Sequence, residues 1–211
     1  MKELLNLVKD CDVFIFDFDG TLINSEPYHK IAHDKVFSLI LGKEIDMTKE
    51  EFAKCLGQTD KQIYAMVKET FNVEFDSDKM INQKVEFAIE MLKEDDKKIF
   101  DYFFEIVKLK KDKEFYVASN QYYYLLDEIL KTKDIHKYFK NIYCLSKMQV
   151  QKNDFYNNIE NYIKVKGKKV AVFEDSNAVL KIAKDLGFLA IGVETEMNEG
   201  KLSNADYIIK N

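Results

Sequence analysis

Cysteine, proline and excess positive charge are all missing or scarce, and each shortage removes a class of protein. The 211-residue chain has three cysteines, Cys11, Cys55 and Cys144, an odd number, widely spaced and without a CxxC pair. They offer neither a zinc site nor a disulfide framework, and they read as small hydrophobes of a reducing compartment. With one proline and seven glycines, no Pro/Gly/Ser linker, repeat or low-complexity tract interrupts the chain. Lys and Arg number 32 against 37 Asp and Glu, a net charge of −5, which argues against a protein that coats nucleic acid. No run approaches the ~20 apolar residues of a membrane span. The opening MKELLNLVKDCD is broken too often by charge to serve as a signal peptide. The expectation is a cytoplasmic protein with no nucleic-acid or membrane partner, acting as a monomer or weak homodimer. What is abundant is core material: 46% of residues are hydrophobic and 33% charged, the balance of a globular domain.

Short apolar runs at 12–18, 114–119, 141–146, 169–175, 188–193 and 206–210 are rich in Val, Ile, Phe and Tyr. Their nearly continuous apolar character predicts strands covered on both faces, as in a parallel sheet between helices. Amphipathic stretches at 97–111, 121–139, 154–166 and 176–187 predict the helices, the last closing on Gly187. A doubly wound α/β fold follows, Rossmann-like, over residues 1–21 and 97–211. Residues 22–96 break the rhythm. HKIAHDKVFSLILG, TKEEFAKCLG, TDKQIYAMVKETF and SDKMINQKVEFAIEMLKED all favour helix, so an all-helical block is inserted after the first strand. That position suits a lid, because ligands of open α/β sheets bind beyond the carboxyl ends of the strands.

The first strand also poses a problem. In FIFDFDGTLIN, Asp17 and Asp19 lie two residues apart at the end of an apolar run. Strand alternation sends such a pair to one side, where two carboxylates repel unless a cation or a proton settles the charge. Asp-Gly also marks turns, and a single Asp caps helices, but neither use needs both acids followed by Gly-Thr. Other strands deliver further polar residues to the same edge: Ser119 and Asn120 after 114–119, Glu174 and Asp175 after 169–175, and Lys152 beyond 141–146. Taken singly, each has an ordinary explanation as a cap, a first-turn acid or a surface lysine. Their convergence on one edge does not.

DFDGTL, VASN, Lys152 and VFEDS together resemble the four ordered motifs of the haloacid dehalogenase-like (HAD) hydrolases. The resemblance covers essentially the whole chain, including a helical cap of the C1 type. It is closest to the branch that holds β-phosphoglucomutase and small phosphate-ester phosphatases. It implies Asp17 as nucleophile, Asp19 as acid/base, and Ser119, Asn120 and Lys152 on the phosphate. It also implies a Mg2+ site built from Asp17, Asp19 (through its carbonyl), Glu174 and Asp175. Lys147 is the alternative amine, because QKNDFY departs from the usual K-P-x-P-D surroundings, and Val179 replaces a common glycine after EDS.

In the insertion, Gly57, Gln58, Thr59 and Lys61 of CLGQTDKQ are candidates for substrate selection, with helix capping as the competing use of Gly57 and Thr59. His29 matches a histidine seen after the first motif and is a candidate partner of Asp19. His33 reads as helix surface or cap packing. The mutase carries an arginine where Asp60 stands here, which favours hydrolysis over intramolecular phosphate transfer. A dehalogenase has no need of Asp19, and a non-enzymatic phospho-receiver has none of so long an insertion. The expected substrate is a small phosphorylated metabolite.

Overall fold

The computed structural model describes residues 1–55, 58–94, 99–109 and 112–210. The chain divides into two compact units, Met1–Asn24 with Lys97–Asn211, and Ser25–Asp96. The first crossing therefore lies past Asn24 rather than after Thr21, and the second falls among residues outside the description.

In chain order the elements are α1 (Lys2–Val8), β1 (Val13–Phe16), α2 (Glu26–Leu41), α3 (Lys49–Ala53), α4 (Asp60–Phe71), α5 (Ser77–Glu94), α6 (Asp101–Val107), β2 (Glu114–Ser119), α7 (Tyr123–Thr132), β3 (Asn141–Cys144), α8 (Leu145–Met148), α9 (Lys152–Asn157), β4 (Val170–Glu174), α10 (Asn177–Asp185), β5 (Leu189–Glu194) and β6 (Tyr207–Lys210). The six strands form one parallel sheet in the order β3-β2-β1-β4-β5-β6. This is the doubly wound arrangement, in which successive crossovers run to one side of β1 and then to the other. The place where the direction reverses, between β1 and β4, is where such sheets bind ligands.

The sequence VFIF of β1 explains both layers. Val13 and Ile15 face one side and join Val170, Val172, Phe155, Tyr156, Leu180 and Ala183 in one hydrophobic core. Phe14 and Phe16 face the other, as period-two alternation requires. There Phe16 stacks on Phe173 with centroids 4.6 Å apart and meets Phe103 edge-on at 5.4 Å. Phe173 in turn stacks on Tyr102 at 5.7 Å. Aromatic pairs of this geometry add about 0.5–1.5 kcal/mol beyond their area burial.

Several helices are shorter than their amphipathic patterns. The 121–139 stretch leaves α-helix at Thr132 and resumes as a 3-10 turn at His136–Tyr138, and 154–166 stops at Asn157 before another at Ile159–Asn161. Asn157 and Asn158 sit at that break; asparagine competes with helix through local side-chain bonds, and Asn158 donates its amide to Asp154 O at 2.9 Å. At its other end α9 begins earlier than expected, at Lys152 itself. The run read as a strand to residue 146 ends at Cys144, where α8 starts.

The second unit contains α2 to α5. Thr48 and Thr59 each build a capping box, with Glu51 and Gln62 respectively returning the bond. Helices α2, α4 and α5 converge on a buried polar cluster. Lys84 of α5 lies 3.2 Å from both carboxylate oxygens of Asp60, and His33 Nε2 lies 3.4 Å from Asp60 Oδ1. His33 is thus an interior residue, among the rings of Phe37, Phe52 and Tyr64.

Candidate active site

Register fixes the first two members of the site. Phe16 of β1 pairs with Phe173 of β4, so Asp17 and Glu174 are the next positions on adjacent strands. The Asp17 N–H donates to Phe173 O at 3.0 Å, which continues the ladder one residue past β1. Alternation carries both acids to the face of Ile15 and Val172. From that face, the first turn of α9 brings Lys152. Its Nζ lies 2.9 Å from Asp17 Oδ1 and also pairs with Glu174 Oε1. Asp17 is 6% exposed and Glu174 0%.

The chain then turns sharply. Phe18 O accepts N–H bonds from Leu22 at 2.9 Å and from Thr21 and Ile23, each at 3.3 Å. Gly20 takes φ +68, and a Cβ there would collide with the Asp175 carboxylate. The glycine of DFDGT is therefore needed twice, for the left-handed turn and for the approach of Asp175. Asn198 pins the other side: its amide donates to Asp175 O and Val193 O, each at 3.0 Å. Glu174 Oε2 accepts the N–H groups of Asp175 and Ser176, both at 3.1 Å.

Asp17, Glu174 and Asp175 bring ligand oxygens within 4.8 Å of one another. With all three carboxylates ionised, Lys152 offsets one of the three charges and two negative charges remain. Burial pushes the Asp17 carboxyl up to about 7, with Lys152 opposing and Glu174 and Asp19 reinforcing the rise. Burial also works against the Lys152 ammonium, yet Asp17 and Glu174 outweigh it and hold the lysine well above its ordinary range. Three hard oxygen donors with an unmet charge of two fit a divalent cation such as Mg2+. Asp19 contributes no side-chain oxygen to this set.

Asp19 stands within this turn, half-buried, and its Oδ2 accepts the Gln121 amide at 3.0 Å. Ser119 is buried at the end of β2, and its Oγ accepts the Gln121 N–H at 3.1 Å. Asn120 follows it and is exposed. Lys147 points elsewhere, with its Nζ 3.7 Å from the centroid of the Tyr123 ring. In the second unit, the Gln58 amide donates to Lys54 O at 2.6 Å, and the Thr59 hydroxyl caps α4. Lys61 is exposed and lies 3.5 Å from Asp78. His29 sits in the first turns of α2. Gly57 lies outside the described residues. Gln121 and Asn198 are the contributors that the sequence did not reveal. A single Gln or Asn in a loop carries no spacing signal.

Comparison with known proteins identifies the family and the fold. A family model for haloacid dehalogenase-like hydrolases matches residues 14–193. The chain belongs to that family of enzymes. Among solved structures it is similar to CbbY from Rhodobacter sphaeroides in complex with phosphate (17% identity, 94% of this chain and 93% of that one, TM-score 0.77). It is also similar to YfnB from Bacillus subtilis bound to magnesium (16% identity, 95% and 94%, TM-score 0.73). A third similar structure is a Thermotoga maritima protein provisionally named a beta-phosphoglucomutase (23% identity, 94% of each chain, TM-score 0.70). At these identities the likeness speaks to the fold alone. No curated protein matches the chain by sequence.

Proposed function

We propose that the protein is a Mg2+-dependent phosphomonoesterase that hydrolyses a small phosphorylated metabolite, a sugar phosphate being the favoured class, through an aspartyl phosphate on Asp17. The observation that carries this reading is the Asp17–Lys152–Glu174–Asp175 cluster at the reversal point of the sheet, with Asp17 and Glu174 buried and Asp19 two residues beyond the nucleophile. CbbY from Rhodobacter sphaeroides, similar in fold, has been crystallised with phosphate and with xylulose-(1,5)bisphosphate, which supports the choice of substrate class. Three buried free cysteines suit a cytoplasmic setting.

Asp17 attacks phosphorus, the bond to the ester oxygen breaks, and Asp19 gives its proton to the departing alkoxide. Water then attacks the aspartyl phosphate while Asp19 takes a proton back, which frees inorganic phosphate and restores Asp17. Asp17, Glu174 and Asp175 would hold the Mg2+, which would supply the positive charge that lets an anionic ester approach a carboxylate. Lys152 neutralises the phosphoryl oxygens as charge shifts onto them. A Ser119 hydroxyl that accepts from Gln121 donates through its own hydrogen, and Asn120 adds an amide at the same strand end.

The inserted helices follow the Asp17–Gly20 segment in the chain, which supports reading them as the cap that selects the leaving group, with Gln58, Thr59 and Lys61 as its candidate contacts. Hydrolysis is favoured over phosphate transfer because Asp60, at the position of the mutase arginine, is buried against Lys84.

The test is a phosphate-ester panel with Mg2+ that includes both anomers of glucose 1-phosphate, run on wild type and Asp17→Asn. Wild type is expected to release phosphate from a subset of the esters, and the variant to lose at least about 10^4-fold in kcat with its fold retained. Isomerised sugar phosphate in place of free phosphate would assign a mutase. Full activity in Asp17→Asn would remove the covalent mechanism.

A further inference from the structure

Gln121 has no place in the four motifs, yet both ends of its side-chain amide are hydrogen-bonded, one of them to Asp19. Its Nε2 donates to Asp19 Oδ2 at 3.0 Å, while its Oε1 accepts the Tyr122 N–H at 2.9 Å. That second bond fixes which end of the amide faces Asp19: only the NH2 group is left to turn toward the carboxylate. Its backbone is held as well. The N–H donates to Ser119 Oγ at 3.1 Å, and the carbonyl accepts from Ser146 Oγ at 3.0 Å and from Cys144 Sγ at 3.2 Å. With 8% of its surface exposed, Gln121 is a rigid donor tied to β2, β3 and α8.

An amide NH2 can only donate, so Oδ2 of Asp19 is committed as an acceptor and rotation about χ2 is blocked. A carboxyl that delivers a proton in one step and collects one in the next works best if the same oxygen faces the reacting centre in both. We propose that Gln121 is the positioning residue of Asp19: by holding Oδ2, it presents Oδ1 first to the leaving oxygen and then to the attacking water. This inference rests on the phosphatase reading above. Gln121 forms no covalent bond and carries no proton in the cycle. Its contribution is orientation, of the kind that outer hydrogen-bond partners give to functional carboxylates and histidines.

The variant to make is Gln121→Met, which keeps the length and loses the donor, with Gln121→Glu beside it, which places an acceptor against an acceptor. kcat and KM are measured with alkyl phosphates and with p-nitrophenyl phosphate, whose phenoxide leaves without much protonation. Both variants are expected to lower kcat for alkyl phosphates about 10- to 100-fold, with KM little changed and p-nitrophenyl phosphate turnover within about threefold of wild type. Combined with Asp19→Asn, Gln121→Met should add no further loss on alkyl phosphates. Equal losses on both substrate types, or an undiminished further loss in the Asp19→Asn background, would overturn the proposal and leave Gln121 a loop residue. If Gln121→Met does not fold, Gln121→Glu on the same substrates decides it. A wild type that hydrolyses no ester would instead overturn the phosphatase reading itself.

Discussion

Among the described residues, Lys84 and Lys152 are largely withdrawn from solvent against carboxylates, and their surroundings differ in charge balance. In the helical unit, Lys84 meets one carboxylate, that of Asp60, among the described residues, 3.2 Å from both oxygens. Burial pushes the neighbouring His33 toward its neutral form, so one positive and one negative charge cancel. In the α/β unit, Lys152 faces Asp17 and Glu174, with Asp175 completing a set of three acids, and two negative charges are left over. A balanced buried pair holds helices in register and asks for nothing more. An unbalanced one is costly to fold, and an outside cation would offset that cost. Stability given up in this way is a mark of a working site.

The comparison breaks most sharply under carboxylate-to-amide changes. Asp60→Asn leaves the Lys84 ammonium buried without its partner and is expected to destabilise the protein by about 3–5 kcal/mol. Asp17→Asn, measured in chelator, removes part of an excess and is expected to leave the unfolding midpoint unchanged or to raise it. Denaturant unfolding of both variants checks this, and losses of similar size in the two would erase the distinction between the clusters.

A smaller effect sharpens the same contrast. Burial depresses the His33 pKa, with Lys84 and His29 adding to the drop and Asp60 opposing it. The unfolded chain binds that proton near the ordinary value of about 6.5, whereas the folded chain resists it. Stability from this residue is therefore complete above about pH 6.5 and falls as the pH drops below it, by at most about 1.4 kcal/mol per unit. Unfolding midpoints between about pH 7 and 5 should show a shallower acid slope in His33→Gln than in wild type. Parallel slopes would mean that His33 titrates alike in both states.

The sheet and its edge were legible because strand alternation and motif order are local signals. VFIF predicts two faces, and Asp17, Ser119, Glu174 and Asp175 each end an apolar run. Asp60 shows what local signals leave out. In sequence it appears only as an acid where a relative has arginine, and its partner Lys84 lies 24 residues on. The choice between Lys147 and Lys152 was likewise hidden, since the two are five residues apart. The turn after α8, where Gln149 takes φ 57, separates their directions. Gln121 and Asn198 were beyond reach, because a lone amide becomes informative only when the fold brings a carboxylate or a carbonyl to it.

The most direct measurement is a Mg2+ titration of thermal unfolding, which needs no substrate. The unfolding midpoint of the wild type should rise with Mg2+, corresponding to about 2.7 kcal/mol at one hundred times the dissociation constant. Asp175→Asn should show the rise weakened or abolished. A wild-type midpoint that stays constant up to about 10 mM Mg2+ would contradict the assignment of the excess charge at Asp17, Glu174 and Asp175 to a divalent cation site.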